Sequence, residues 1–110
     1  MIDRIRERDG FVRLRQEGKR TRIDPLWCSS VPDPTSTSPK VAFAIGRAVG
    51  PAVVRNRLRR RLRVLLAEAS LPPGLYLIGA TPRAAELTFD QLAERIERLR
   101  ERLTTRTPAP

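Results

Sequence analysis

The chain contains no histidine at all, and its 110 residues include a single cysteine, Cys28. The missing histidine removes Ser-His-Asp and Cys-His catalysis, imidazole acid–base chemistry and every histidine-containing metal site. One cysteine excludes an internal disulfide, fits a reducing cytoplasm and, with no histidine, effectively excludes a structural zinc site. Cys28 itself reads as a small buried hydrophobe, because nothing near it in sequence activates a thiolate. No apolar run approaches the ~20 residues that a membrane span requires. The opening "MIDRIRERDGF" lacks the apolar stretch of a secretory signal. Lysine is scarce as well: Lys19 and Lys40 are the only two.

Arginine is what the chain has instead. Lys+Arg total 22 against 12 Asp+Glu, a formal net charge of +10, with a pI near 11.5. Guanidinium stays ionised and presents a planar fork that matches phosphate oxygens. Such a balance on a small domain points to a polyanion, nucleic acid before an anionic membrane. The charge is also unevenly placed. From residue 34 to residue 67 there is no Asp or Glu, while eight basic residues fall in that stretch. "AVVRNRLRRRLRVLL", residues 52–66, holds six of them, all arginine. A solvated helix normally interleaves acids for i,i+4 support, so the balancing charge must come from outside the chain.

The length suits one domain with a modest core. Residues 9–17 read as a short helix, with Asp9 as N-cap and Gly18 as its stop. Residues 22–31 read as a strand entered or interrupted at Pro25. On it Trp27, Ser29 and Val31 share one face, and Leu26, Cys28 and Ser30 the other. Residues 32–39 form a polar, proline-rich loop. Residues 40–46 form a second strand, with Val41, Phe43 and Ile45 facing one way and Ala42 and Ala44 the other.

Gly50 and Pro51 mark the start of the arginine helix as N-cap and N1, and Pro72-Pro73-Gly74 bars it from passing about Ala69. Val54, Leu58, Leu62, Leu65 and Ala69 make its apolar stripe. Arg55, Arg59 and Arg63 lie beside that stripe, Asn56 and Arg60 opposite, and Arg57 and Arg61 along the other edge. Residues 75–80 form a continuously apolar, hence central, strand. Thr88 and Gln91 form a capping box. The helix that follows packs Phe89, Leu92, Ala93, Ile96, Leu99 and Leu103, and pairs Glu94 with Arg98 and Glu97 with Arg100 outside. The domain is expected over 1–103 and a disordered tail over 104–110. One sheet with helices on one face is the simplest arrangement.

Phe11, Trp27 and Phe43 read first as core aromatics, with a stacking platform for unpaired bases as the alternative. Arg47 is a salt-bridge partner or a phosphate contact, and the basic run beside it favours phosphate. Gly46 and Gly50 read as turn glycines that could also admit a phosphate to the helix N-terminus. No carboxylate cluster for metal-assisted hydrolysis is visible, which disfavours an autonomous nuclease.

The block "VAFAIGRAVGPAVVRNRLRRRLR" closely resembles the signature of the bacterial ribonuclease P protein family: a strand, a basic turn, "VGNAV", then "RNR" and a basic run on a helix. The matching residues are Val49-Gly50-Pro51-Ala52-Val53, Arg55-Asn56-Arg57, Arg59-Arg60 and Arg63. "RIRERDGFVRLRQEG" is similar to the family's first helix and "LTFDQL" to the start of its last. The resemblance implies an α+β domain of order αβββαβα. It has a four-stranded sheet, a left-handed β-α-β crossover and kinship to the fourth domain of elongation factor G. It also implies the role of accessory subunit in an endoribonuclease holoenzyme. The implied partners are the catalytic ribonuclease P RNA and precursor tRNA, with no membrane and no obligatory protein partner. By the same resemblance the RNA and its Mg²⁺ ions would carry the hydrolysis that removes the 5′ leader. Arg55, Asn56, Arg57, Arg59, Arg60 and Arg63, with Arg47 and Lys40, are the residues implied to contact that RNA. Phe11 is implied to line the leader cleft, with Trp27 and Phe43 near it. This sequence departs from the family pattern at Ser29, Ala48, Pro51 and Thr81, with Arg83 two residues beyond the last. An RNA-binding protein of ribosomal type, unconnected with cleavage, is the competing reading.

Overall fold

The computed structural model describes residues 2–5, 8–33 and 37–106. A two-residue strand β1 (Asp3–Arg4) precedes helix α1 (Arg8–Glu17). A hairpin follows, of β2 (Lys19–Ile23) and β3 (Leu26–Pro32), and then β4 (Lys40–Ala44). A 3₁₀ turn over Arg47–Val49 leads into α2 (Ala52–Glu68), the arginine helix. Then come β5 (Gly74–Ala80), a 3₁₀ segment over Pro82–Glu86 and α3 (Phe89–Arg106). Of the tail expected over 104–110, the first three residues continue α3; 107–110 lie outside the described residues.

The five strands form one sheet in the order β1-β4-β5-β3-β2. β4 runs parallel to both β1 and β5, while β3 is antiparallel to β5 and to β2. β5 is central, as its unbroken apolar run predicts. The expected single strand over 22–31 is instead a hairpin. It turns at Asp24-Pro25, a cis peptide bond, and pairs Lys19 with Ser30 at its far end. Thr81 fastens that turn, its N–H donating to the Pro25 carbonyl at 2.9 Å. β1 adds a fifth strand to the expected four along the edge of β4.

Helices cover both faces of the sheet, not one. Alternation along β5 sends Tyr76, Ile78 and Ala80 to a large core shared with Leu58, Leu62, Leu65 and Leu66 of α2 and Leu92, Ile96, Leu99 and Leu103 of α3. Leu75 and Leu77 point the other way. There Leu14 of α1 packs with Ile5, Val31 and Leu75 in a second, smaller cluster. A central strand with apolar side chains on both faces needs cover on both. α1 is 10 residues long and buries only Gly10 and Leu14, so it roofs one end of its face. At the other end Trp27, Ala42, Ala44 and Leu77 remain half-buried.

Two helix starts differ from expectation by one residue. Asp9 lies within α1, and Pro51 rather than Gly50 occupies the N-cap of α2. Gly50 has φ 150°, open to glycine and strained for other residues. Ser70, at φ 55°, reverses the chain after α2. The capping box of α3 is formed in both directions. Thr88 N–H donates to Gln91 Oε1 at 2.9 Å and Gln91 N–H to Thr88 Oγ1 at 3.1 Å.

Candidate nucleic-acid interface

α2 turns its leucines to the core and leaves an arginine surface. Arg57, Arg60 and Arg63 are exposed and Arg55, Arg59 and Arg61 half-buried. The ion pairs among the described residues lie on α1, on the β2–β3 turn and on α3; none reaches α2. Three α2 arginines are held in place by the fold. Arg55 Nε donates to the Gly50 carbonyl at 3.1 Å. Arg59 donates to the Ile45 carbonyl at 3.3 Å and to Asn56 Oδ1 at 2.9 Å. Arg63 stands 5.7 Å from the centre of the Phe43 ring. Asn56 therefore orients Arg59 from its own helix, and its amide N–H₂ makes no hydrogen bond among the described residues. The side chains of Arg57 and Arg60, together with that of exposed Arg47 on the 3₁₀ turn, make no hydrogen bond or ion pair among the described residues. Uncompensated guanidiniums at one surface raise the local potential and concentrate anions there.

The open end of the α1 face is a second surface. Arg20, Trp27 and Ser29 share this side of the sheet, since Arg20 pairs with Ser29 and Arg22 with Trp27 across the hairpin. The Arg20 guanidinium sits 4.2 Å from the centre of the Trp27 ring, a cation–π contact that holds the indole flat. The ring lies over Gly79, where a Cβ would fall 1.9 Å from Trp27 Cε2. Phe11 is 40 % exposed on α1, on this same side of the sheet. Gly79→Ala should therefore push the indole off its seat and break the Arg20 contact. A cost of about 1–3 kcal/mol is expected, read as a lower midpoint in urea.

Two of the expected site residues lie elsewhere. Phe43 shares the α2 face of β4 with Val41 and Ile45 and packs on the large core, so the sheet separates it from Trp27. It underlies Arg63, on the face of the sheet opposite Trp27. Lys40 alternates with Val41 and so falls on the α1 face, across the sheet from the arginine helix. Arg20 and Gly79 are the residues that the sequence reading missed. Their signal was the hairpin register, which brings Arg20 within a diagonal of Trp27. Of the departures from the family pattern, Ala48 and Pro51 are exposed at the foot of α2, whereas Thr81 secures the hairpin turn. Ser29 lies against Gly18 at the end of α1, where a Cβ on the glycine would reach its Oγ.

Among the described residues no three His, Cys, Asp or Glu side chains gather in a metal-binding group. No helix among them is long and apolar enough to cross a membrane. Burial pushes the Tyr76 phenol well above its usual range, with Cys28 adding to the rise, so it stays protonated near neutrality.

A small α+β domain with an arginine-clad helix on one face of its sheet and a half-covered apolar strip on the other defines a narrow class of protein. The family model for ribonuclease P matches residues 2–104, and the chain belongs to that family. The ribonuclease P protein component of Acidothermus cellulolyticus is 37% identical over 106 residues, 92% of this chain and 88% of the relative. That of Thermobifida fusca is 37% identical over 105 residues, 86% of this chain and 71% of the relative. The fold agrees with solved structures. The RNase P protein from Thermotoga maritima superposes with a TM-score of 0.79 at 20% identity, covering 91% of this chain and 96% of that one. The Staphylococcus aureus protein gives 0.75 at 16%, covering 93% and 92%.

Proposed function

We propose that this chain is the accessory protein of a ribonuclease P holoenzyme, binding the catalytic RNA through α2 and the 5′ leader of precursor tRNA on the open α1 face. The observation that carries the reading is the arginine surface of α2. It has six guanidiniums and, among the described residues, no carboxylate partner, on a chain of the ribonuclease P family. Arg47, Arg55, Arg57, Arg59, Arg60 and Arg63 neutralise RNA phosphates, and Asn56 positions Arg59 while donating to phosphate or sugar. The open face takes the unpaired leader, whose bases ride on Trp27 and Phe11. The two surfaces lie on opposite sides of the sheet, so one protein can hold both RNAs at once.

In this reading the bond broken is the one between phosphorus and the 3′ oxygen of the leader. Water adds to phosphorus, the leader departs with a 3′ hydroxyl, and the 5′ phosphate stays on the tRNA. Mg²⁺ held by the RNA supplies charge stabilisation at that phosphate. This chain supplies affinity and register. Its contact with the leader favours precursor over product, which has no leader. Its cations replace part of the divalent charge that the folded RNA otherwise requires.

A chain whose cations are almost all arginine, with no histidine, has a recognisable titration signature. Affinity for ribonuclease P RNA should stay flat from about pH 6 to pH 9 and fall steeply with salt. Fluorescence anisotropy across a pH and salt grid tests this. A break near pH 6.5, or a flat salt response, contradicts arginine–phosphate binding.

A further inference from the structure

The geometry points to a second phosphate track, on the α3 side of the molecule, that continues the arginine helix and takes the backbone of an RNA strand. This rests on the reading that the partner is ribonuclease P RNA. A cavity of about 590 Å³ opens between the β2–β3 turn, the 3₁₀ segment after β5 and α3. Five arginines line it: Arg22, Arg83, Arg95, Arg98 and Arg102. The carboxylates in it are Asp24 and Glu101, and Glu94 stands beside Arg95 and Arg98. Positive charge is in excess even with Glu94 counted.

Arg22 borders the cavity from the Trp27 side of the hairpin edge, and the other four guanidiniums divide into fixed and exchangeable. Arg95 Nε donates to the Asp24 carbonyl at 2.8 Å and Arg102 to the Arg22 carbonyl at 3.0 Å. These bonds set the two side chains across the sheet edge and leave each with further N–H donors. Arg98 meets Glu94 at 2.9 Å and Arg22 meets Asp24 at 3.0 Å, both in solvent-exposed pairs. Exposed pairs of this kind contribute little, so a phosphate displaces the carboxylate at small cost. Arg83 is exposed and has no hydrogen bond or ion pair among the described residues.

The track joins the arginine helix. The 3₁₀ segment carrying Arg83 also carries Ala84 and Ala85, which line a smaller cavity of about 250 Å³ bordered by Arg57 and Arg61. One short segment therefore has α2 arginines on one side and the α3 cluster on the other. An RNA strand leaving α2 past Ala84 and Ala85 meets Arg83 and then the larger cavity. The cavity is open and walled by charge, which suits an extended phosphodiester backbone held without base readout.

The test is equilibrium binding of a transcribed bacterial ribonuclease P RNA by the full chain at several salt concentrations. R83A/R98A removes two cations that hold no backbone group. R8A/R15A removes the same charge from exposed positions on α1. The expected result for R83A/R98A is a salt slope lower by about 1.5 and affinity roughly tenfold weaker at 0.15 M salt. R8A/R15A should lose much less. Equal losses in the two variants reduce the cluster to net charge and overturn the track, as does an unchanged R83A/R98A beside a weakened R57A/R60A. If R57A/R60A also binds unchanged, the failure belongs to the proposed function itself.

Discussion

Replacing Arg57 and Arg60 together by alanine should weaken binding of ribonuclease P RNA roughly 10- to 30-fold at 0.15 M salt and lower the salt slope by about 1.5. Both side chains are exposed and make no bond among the described residues, so their loss leaves the core of α2 intact. Alanine is also the stronger helix former, which keeps the helical circular dichroism at or above its starting value. Arg59 is a poorer choice for this test, because its bond to the Ile45 carbonyl ties helix to strand. Unchanged RNA affinity in a folded R57A/R60A protein would remove α2 as the RNA-binding surface. A loss of affinity with an unchanged salt slope would mean that these residues act on the fold and not on phosphate.

Trp27→Ala should act on the other RNA. A base stacked on an aromatic ring contributes about 1–3 kcal/mol, so affinity for leader-bearing precursor should fall roughly 5- to 150-fold. Affinity for mature tRNA, which has no leader, should not change. Trp27→Phe keeps a stacking face and should recover most of the loss. The ring is half-buried over Gly79 with Arg20 above it and belongs to neither core cluster, so its removal leaves both clusters in place. Equal losses for precursor and mature tRNA contradict a leader site on this face.

Much of this was legible in the residues, for reasons that can be named. α3 announced itself through the Thr88–Gln91 box and a clean 3-4 apolar spacing, both local signals. The leucine stripe of α2 and the central place of β5 followed from periodicity and from an unbroken apolar run. The arginine surface was visible as a stretch without acids. What was hidden depends on partners distant in sequence. β1 is two residues long, too short for any pattern, and exists because the edge of β4 offers it hydrogen bonds. The β2–β3 turn at Asp24-Pro25 read as an interruption, because β2 alternates charge with Thr21 and Ile23 rather than showing an apolar face.

The position of Phe43 shows the same limit. Parity within each strand was correct, with Trp27 beside Ser29 and Phe43 beside Val41. Pairing of Phe43 with Ile78 and of Trp27 with Gly79 then sets the two aromatics on opposite faces. That register, one residue apart along β5, is not written in either strand alone. The second helical layer was hidden likewise, since α1 contributes little more than Leu14 to its cluster.

The most direct test of the central claim is cleavage of precursor tRNA at low Mg²⁺ by ribonuclease P RNA alone, by this protein alone and by the two together. The account predicts cleavage at the mature 5′ end only when both are present. Tight RNA binding without any stimulation, or cleavage by the protein alone after trace nuclease is removed, would contradict it.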